Sequence, residues 1–271
     1  MDRYAVIGNP VAHSKSPLIH AAFAEATGQA LTYERLLAPL DAFEDTVARF
    51  VTDGGKGLNV TVPFKLQAFA LAREHSARAG IAGACNTLVW RGDHWYGDNT
   101  DGAGLLRDLV HTVGATIAGR DVLVLGAGGA ARGIVVPLLA QSPRRLVIVN
   151  RTHAKSMRLA SEFAADGPVT AIAPSALEGA RFDVVINATS IGLGTSVPRD
   201  LWPATLFAPG ALAYDLVYAN MDTPFLHWAQ EQGVTRRADG LGMLIEQAAE
   251  SFVLWRGVRP DTAPLFPLLR S

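Results

Sequence analysis

Short apolar runs alternate with helical patterns along most of the chain. RYAVIG is followed by SPLIHAAFAEATG, LTYERLLA by DAFEDTVARFV, and GLNVTVP by FKLQAFALAREH. A period of two or an unbroken β-branched run predicts a strand, and a period near 3.6 predicts a helix, so this stretch reads as repeated βα units. Ser16 before Pro17 predicts an N-cap with proline at the first helical position, and Gly28 closes that helix. In GLNVTVPFK, Asn59, Thr61 and Pro63 alternate with Leu58, Val60 and Val62. Pro63 suits the first turn of the next helix, which would put Lys65 in that turn as well. NTLVWRGDHWYGDN breaks the alternation, because two apolar runs joined by RGDH predict a hairpin. A second series of strands then runs through DVLVLGAGG, RRLVIVNRT, FDVVINATS and ALAYDLVY and ends near GVTRRADG.

No repeat or Pro/Ser-rich linker separates the two series. The predicted boundary is the helix-like GAGLLRDLVHTVG after Asp101, and the apolar helix LGMLIEQAAESFVLWRG is expected to return to the first half. The fold class is therefore α/β. An N-terminal α/β domain covers residues 1–101 with 241–271, and a second α/β domain covers 102–240. With 271 residues, 49% of them hydrophobic and 18% charged, the chain has enough apolar material for two such cores.

Charge removes several partners from consideration. The formal net charge is -1 and no Lys/Arg-rich block occurs, so neither nucleic acid nor an anionic membrane is an expected partner. An acidic ligand must be captured locally. The single cysteine, Cys85, excludes an intrachain disulfide and a Cys-rich metal site, and no metal is expected. MDRYAVIGNP lacks the basic and long apolar regions of a signal peptide, and VLVLGAGGAARGIVVPLL is interrupted by Arg132 and glycines before it could span a bilayer. A cytoplasmic location is the expectation.

VLVLGAGGAARG is a strand, a glycine-rich turn and a helix, with Gly126, Gly128 and Ala131 in dinucleotide-binding spacing. The first glycine permits the tight turn, the second lets backbone N–H groups approach a pyrophosphate, and Ala131 allows close packing on the strand. Ala127, Gly129 and Ala130 complete the candidate cradle. The following strand ends in Asn150, Arg151 and Thr152, with Lys155 one turn further on. An NAD site usually has a carboxylate there, whereas guanidinium, hydroxyl and ammonium donors suit the 2′-phosphate of NADP.

The other unusual polar residues fall into short clusters at predicted strand ends: Ser14 and Ser16 in NPVAHSKSP, Asn59, Thr61 and Lys65 in NVTVPFK, Asn86 in AGACNTL, and Asp101 in GDNTDG. Serines cap helices, and Asn and Asp make turns, so each has a local structural explanation. Lys65 is harder to explain that way. A helix N-terminus is partly positive and normally recruits an acid, so a lysine there is electrostatically misplaced unless another group requires it.

GNPVAHSKSP, GLNVTVPFK, AGACNTL, GDNTDG, GAGGAARG, NRT, NATSIGL and DGLGMLIEQAAESFVLW follow the order and spacing of the shikimate dehydrogenases, and the chain resembles that family over essentially its whole length. The resemblance implies an NADP-dependent oxidoreductase of aromatic amino acid biosynthesis that interconverts shikimate and 3-dehydroshikimate, with a substrate-binding catalytic domain at residues 1–101 and 241–271 and a Rossmann-like doubly wound NADP-binding domain at 102–240. It matches Lys65 and Asp101 to the catalytic pair, and Ser14 and Ser16 to the groups that hold the substrate carboxylate. Asn59, Thr61, Asn86 and Gln247 match positions around the ring hydroxyls, and Tyr218 a position near the carboxylate. Gly240 and Met243 would lie beside the nicotinamide, with Ala127 and Thr189 along the cofactor. A positive helix terminus works against an ammonium at Lys65 while Asp101 works for it, so either lysine alone or the pair is the acid–base unit.

The chain departs from the family at two places. YANMD lacks a proline-containing turn common after DLVY, which bears on the orientation of Tyr218. Cys85 stands where valine is common, as a small buried thiol. The alternatives are a quinate/shikimate dehydrogenase using NAD as well as NADP, and a non-catalytic shikimate or NADPH-binding protein on the same fold. Either a monomer or a homodimer is compatible with the sequence.

Overall fold

The computed structural model describes residues 1–189 and 202–270. The SIGL part of NATSIGL begins at Ser190 and lies outside the described residues. The chain divides into two compact units, residues 1–104 with 245–271 and residues 105–244.

In unit one, β1 (Asp2–Gly8), α1 (Ser16–Thr27), β2 (Leu31–Leu37), α2 (Phe43–Thr52), β3 (Gly55–Val60) and α3 (Lys65–Leu71) form the βα series. They are followed by β4 (Glu74–His75), α4 (Ala77–Ala82), β5 (Thr87–Trp90), β6 (Trp95–Asp98) and the start of α5 (Asp101–Arg107). The sheet order is β2-β1-β3-β5-β6-β4. β1, β2 and β3 are parallel, and the hairpin strands β5 and β6 are antiparallel to each other. Ala5, Ile7, Leu58, Val60 and Leu88 of this sheet pack with Phe43, Val47 and Phe64 in one apolar cluster.

The long helix α9 (Leu241–Arg256), followed by α10 (Leu265–Arg270), begins in unit two and ends in unit one. Within unit one, Trp255 stacks on Tyr4 at 4.7 Å and Phe252 meets Phe23 edge-on at 5.7 Å. Gly57 makes this docking possible, because a Cβ there would fall 2.4 Å from the Trp255 indole nitrogen. That nitrogen instead donates to the Leu88 carbonyl at 3.0 Å.

Unit two holds β7 (Asp121–Leu125), α6 (Gly129–Leu139), β8 (Arg145–Val149), α7 (His153–Glu162), β9 (Val169–Ile172), β10 (Phe182–Asn187), β11 (Phe207–Asp215), α8 (Pro224–Glu231) and β12 (Arg236–Ala238). Its strands are all parallel, in the order β12-β11-β10-β7-β8-β9. Counted from β7, this is the doubly wound dinucleotide-binding order, with its switch point between β7 and β10. Both faces are covered. Ile134, Val135, Leu138 and Leu159 belong to the cluster on one side, and Phe225, Trp228, Trp202 and Leu206 to the cluster on the other. Parallel strands covered on both faces require apolar residues at every position, as VLVL and LVIV supply.

Local expectations need correction in four places. Lys15, not Ser16, occupies the cap position of α1, and Ser16 is the first helical residue. Pro63 lies in a turn before α3, which begins at Lys65. α3 ends at Leu71 and does not run to His75, because Ala72 turns extended and Arg73 N–H bonds the Trp95 carbonyl of β6. β4, α4 and β9 carry no signal that the sequence patterns picked out. Gly28 does close α1, in the left-handed conformation with φ of 63°.

Candidate active site

The polar clusters of unit one converge on a single hydrogen-bonded chain. Lys65, first residue of α3, places Nζ 2.5 Å from Asp101 Oδ2. Asp101 opens α5, where the helix N-terminus favours a carboxylate, and its Oδ1 accepts from Asn86 Nδ2 at 2.8 Å. The same amide nitrogen reaches Gln247 Oε1 at 3.2 Å and Thr100 Oγ1 at 2.9 Å. Thr100 N–H returns a bond to Asn86 Oδ1 at 2.8 Å. Asn86 thus ties the acid–base candidates to α9.

The GDNTDG turn is fixed from beneath. Buried Asp98 accepts from both Nε and Nη2 of Arg78, at 2.7 and 2.8 Å, and from the Asn99 N–H at 2.6 Å. Asn99 Oδ1 in turn accepts the Asp101 N–H at 3.2 Å. These bonds pair the polar groups of the turn with one another and with Arg78.

Asn59 lies on a strand buried on both faces, so the polar half of its alternation points at other polar groups and away from water. Its Nδ2 donates to Ser251 Oγ at 2.9 Å and lies 3.3 Å from Thr87 Oγ1. Its Oδ1 accepts from the Tyr33 hydroxyl at 2.7 Å and from His20 Nε2 at 3.1 Å. Burial holds the His20 imidazole down to about 3, so it is neutral, with its hydrogen on Nε2. Tyr33 also bonds Ser16, and Ser14 Oγ donates to Ser16 Oγ at 3.1 Å. Ser14 Oγ accepts the Ser16 N–H at 3.3 Å, so this serine has a helix-start role as well. Thr61 packs its methyl where a Cβ on Gly8 would fall, 2.3 Å away. Thr61, Ser14 and Ser16 therefore lie at the ends of β3 and the start of α1, beside the strand end at Gly8.

His20, Tyr33, Thr87, Thr100 and Ser251 were not among the sequence candidates. A signal existed for Ser251: it follows Gln247 by four residues on an otherwise apolar helix, so the two share a face. Cys85 is fully buried, and burial pushes its thiol up to about 12, which makes it an inert packing residue.

In unit two, Gly126 ends β7 with φ of 110°, a conformation that favours glycine, and a Cβ there would press on the Ala188 carbonyl at 2.9 Å. Gly128 caps α6, and a Cβ built on Gly128 or Gly129 would meet nothing within 4 Å. An open helix N-terminus at the switch point of the sheet fits a pyrophosphate. Ala127 and Ala130 flank these glycines, and Ala131 is fully buried against the sheet. Asn150 follows β8 and donates to the Thr152 carbonyl at 3.0 Å. Arg151 and Lys155 are exposed, and among the described residues neither side chain has an ion pair or hydrogen bond. Two unpaired cations beside the glycine turn fit a further phosphate.

Thr189 follows β10 and bonds the buried Asn187 Oδ1 through its N–H at 3.1 Å and its hydroxyl at 2.7 Å. Asn187 Nδ2 donates to Asp215 Oδ1 at 3.0 Å, and Asp215 also accepts from Thr223 Oγ1 at 2.5 Å and the Val217 N–H at 3.1 Å. Burial lifts the Asp215 carboxyl to about 6, with these donors pulling the other way. Tyr218 is half-buried in the loop after β11, and Gly240 and Met243 flank the start of α9. Among the described residues, no group of His, Cys, Asp and Glu could hold a metal ion, and no helix is long and apolar enough to cross a membrane.

A sheet of this order with an open glycine turn, in a chain that also holds a partly buried Lys–Asp–Asn constellation, defines a two-unit α/β dinucleotide-binding oxidoreductase. Three family models match the chain: "Shikimate dehydrogenase substrate binding domain" over residues 6–88, "Shikimate / quinate 5-dehydrogenase" over 108–193, and "Shikimate 5'-dehydrogenase C-terminal domain" over 240–265. The chain is 56% identical over 273 residues to the shikimate dehydrogenase (NADP(+)) of Aromatoleum aromaticum, covering 100% of this chain and 97% of that protein. It is 48% identical to an Ael1 enzyme from Pseudomonas putida, whose crystal structure gives a TM-score of 0.93 over 99% of this chain and 98% of that one. It is 35% identical to the Thermus thermophilus shikimate 5-dehydrogenase (AroE) solved in complex with NADP(H) and shikimate. That match has a TM-score of 0.84 over 97% of this chain and 96% of that one. The chain belongs to the shikimate dehydrogenase family.

Proposed function

We propose that the protein catalyses the reversible reduction of 3-dehydroshikimate to shikimate with NADPH, in the pathway to chorismate and the aromatic amino acids. The observation that carries this reading is the Lys65–Asp101 contact anchored on Asn86, in a chain of this family. Bound NADPH would supply the hydride in reduction, and bound NADP+ would accept it in oxidation. Lys65 gives a proton to the substrate oxygen as the carbonyl becomes a hydroxyl, and takes it back in the reverse direction. An ammonium has three donors, and Asp101 uses one of Lys65's, which leaves donors for that oxygen. Asp101 holds the ammonium with one oxygen and the Asn86 amide with the other, so its part is to aim Lys65.

Ser14 and Ser16 hold the substrate carboxylate through neutral hydrogen bonds near the start of α1, with Tyr218 close by. Asn59, Thr61, Asn86 and Gln247 meet the ring hydroxyls. Residues 126–130 take the pyrophosphate on the N-terminus of α6. Asn150, Arg151, Thr152 and Lys155 take the 2′-phosphate, Thr189 lies along the cofactor, and Gly240 and Met243 lie beside the nicotinamide. Unit one is thus the substrate unit and unit two the cofactor unit. The same reading carries a cytoplasmic enzyme, monomeric or homodimeric, whose association state sedimentation measures directly.

Four initial rates test the proposal: purified protein with shikimate or quinate, each against NADP+ or NAD+. The expected outcome is a dominant rate with shikimate and NADP+. No reduction of either cofactor with either acid would refute an enzymatic role. A dominant quinate or NAD+ rate would move the assignment to the broader-specificity dehydrogenase.

A further inference from the structure

The segment DGLGM, residues 239–243, contains two glycines whose identity the nucleotide turn does not explain. Neither needs the left-handed conformation, and both are confined by close neighbours. A Cβ on Gly240 would fall 2.2 Å from the Leu216 carbonyl oxygen, and one on Gly242 would fall 1.9 Å from Asp108 Oδ1. The first turn of α9 is therefore seated directly on the Asp108 carboxylate.

Asp108 is buried in a π-helical turn, Asp108–Thr112, that continues α5. Such turns are frequent at functional sites. Tyr214, fully buried near the end of β11, donates its hydroxyl to Asp108 Oδ2 at 2.6 Å. The phenol oxygen in turn accepts the Met243 backbone N–H. Burial holds the phenol well above its usual range, so the hydroxyl keeps its proton and the direction of both bonds is fixed.

We propose that Asp108 and Tyr214 are positioning residues for the cofactor: their buried relay fixes the Gly240–Met243 turn on which the nicotinamide rests. The inference depends on the reading of Gly240 and Met243 given above. It explains why glycine stands at position 242, against the Asp108 carboxylate, and it gives that buried carboxylate a use besides packing.

The test is a pair of titrations on purified Tyr214→Phe, with its fold checked by circular dichroism. One ligand is NADPH. The other is adenosine 2′,5′-bisphosphate, which carries the adenosine phosphates but no nicotinamide. NADPH binding should weaken about tenfold, the equivalent of one buried hydrogen bond, while bisphosphate binding changes by less than about twofold. The kcat should fall with the KM for 3-dehydroshikimate little changed. A general packing defect would weaken both ligands in parallel, and that result, or no change with either, overturns the inference. If Tyr214→Phe does not fold, Asp108→Asn carries the same two titrations with the same criteria. Wild-type protein that fails to bind NADPH would overturn the functional reading instead, so the two failures are distinguishable.

Discussion

Replacing Lys65 by alanine separates catalysis from architecture, because the structure sets different sizes for the two effects. The Lys65 side chain is 30% exposed and that of Asp101 12%, so the pair is not a deeply buried one. A partly solvated ion pair of this kind contributes about 0–1 kcal/mol to folding. Asp101 also keeps its bond from Asn86 and its place at the start of α5 after the substitution. Lys65 itself sits at the unfavourable end of α3, so its removal relieves a small repulsion. The melting temperature should therefore shift by no more than about 2–4 °C. Loss of a positioned acid–base group lowers kcat by about 10²–10⁴-fold, or ~3–5 kcal/mol on the barrier, with a smaller change in shikimate KM. The assay is steady-state kinetics with both substrates varied, beside a thermal melt of the same preparation. Asp101→Asn should also be severe. If the two groups act as one unit, the double variant should be far less impaired than the product of the single losses. A well-folded Lys65→Ala enzyme with near wild-type kcat would refute the acid–base assignment.

Other substitutions probe the remaining parts of the site. Arg151→Ala should raise the KM for NADP+ about ten- to hundredfold relative to that for NAD+, the size of one charge-assisted hydrogen bond, and equal losses would remove the phosphate assignment. Changing Ser14 and Ser16 together to alanine should raise the shikimate KM and leave NADP+ binding nearly intact. An unchanged KM with a lowered melting temperature would reduce the serines to their helix-start role. Asp215 predicts a pH effect on stability. Burial raises its carboxyl from 3.8 to about 6 in the folded chain, so the folded state holds a proton that the unfolded state has lost. This contribution is fully present below about pH 4 and is lost as pH rises through about 6, a difference of ~3 kcal/mol. Asp215→Asn cannot titrate. Urea unfolding should therefore find its stability gaining on the wild type by that order between about pH 4 and pH 7.5, and parallel curves would contradict the argument.

The parts of this fold that the sequence disclosed are those where local pattern and tertiary role agree. VLVLGAGG and LVIVNRT are apolar at every strand position because β7 and β8 are covered on both faces, and their glycines and caps fall at the ends. The hairpin of β5 and β6 announces itself through its polar turn. The helical pattern of α3 continues to His75, whereas the edge of β6 draws residues 73–75 into the sheet. That competition is decided by a strand distant in sequence, so no local window contains it. β9 escapes the pattern since VTAI is short and lies between prolines. In the site, Lys65 is legible as a charge at the wrong end of a helix. Tyr33, Thr87 and His20 are not, because each is an ordinary strand or helix residue until folding brings it against Asn59.

The near-neutral charge of the chain and its two anionic ligands are reconciled by the way each anion is met. No long-range field gathers acids to this surface, so selectivity rests on contact distance. On the proposed assignment, the donors for the substrate are hydroxyls and amides held in a chain from Ser14 to Asp101, in which almost every polar atom already has a partner. Such donors add no net charge, and they are paired with one another within the network. The proposed cofactor side follows the opposite rule. Arg151 and Lys155 are exposed and unpaired among the described residues, and the helix start at Gly128 is open. Exposed charges tolerate solvation, so leaving them unpaired costs little, whereas an unpaired donor in the buried substrate network would cost about 1–3 kcal/mol. On the proposed site assignment, burial decides which anion neutral groups would meet and which charge would meet, and Lys65, partly exposed and held by the Asp101 carboxylate, is the cation in contact with this network.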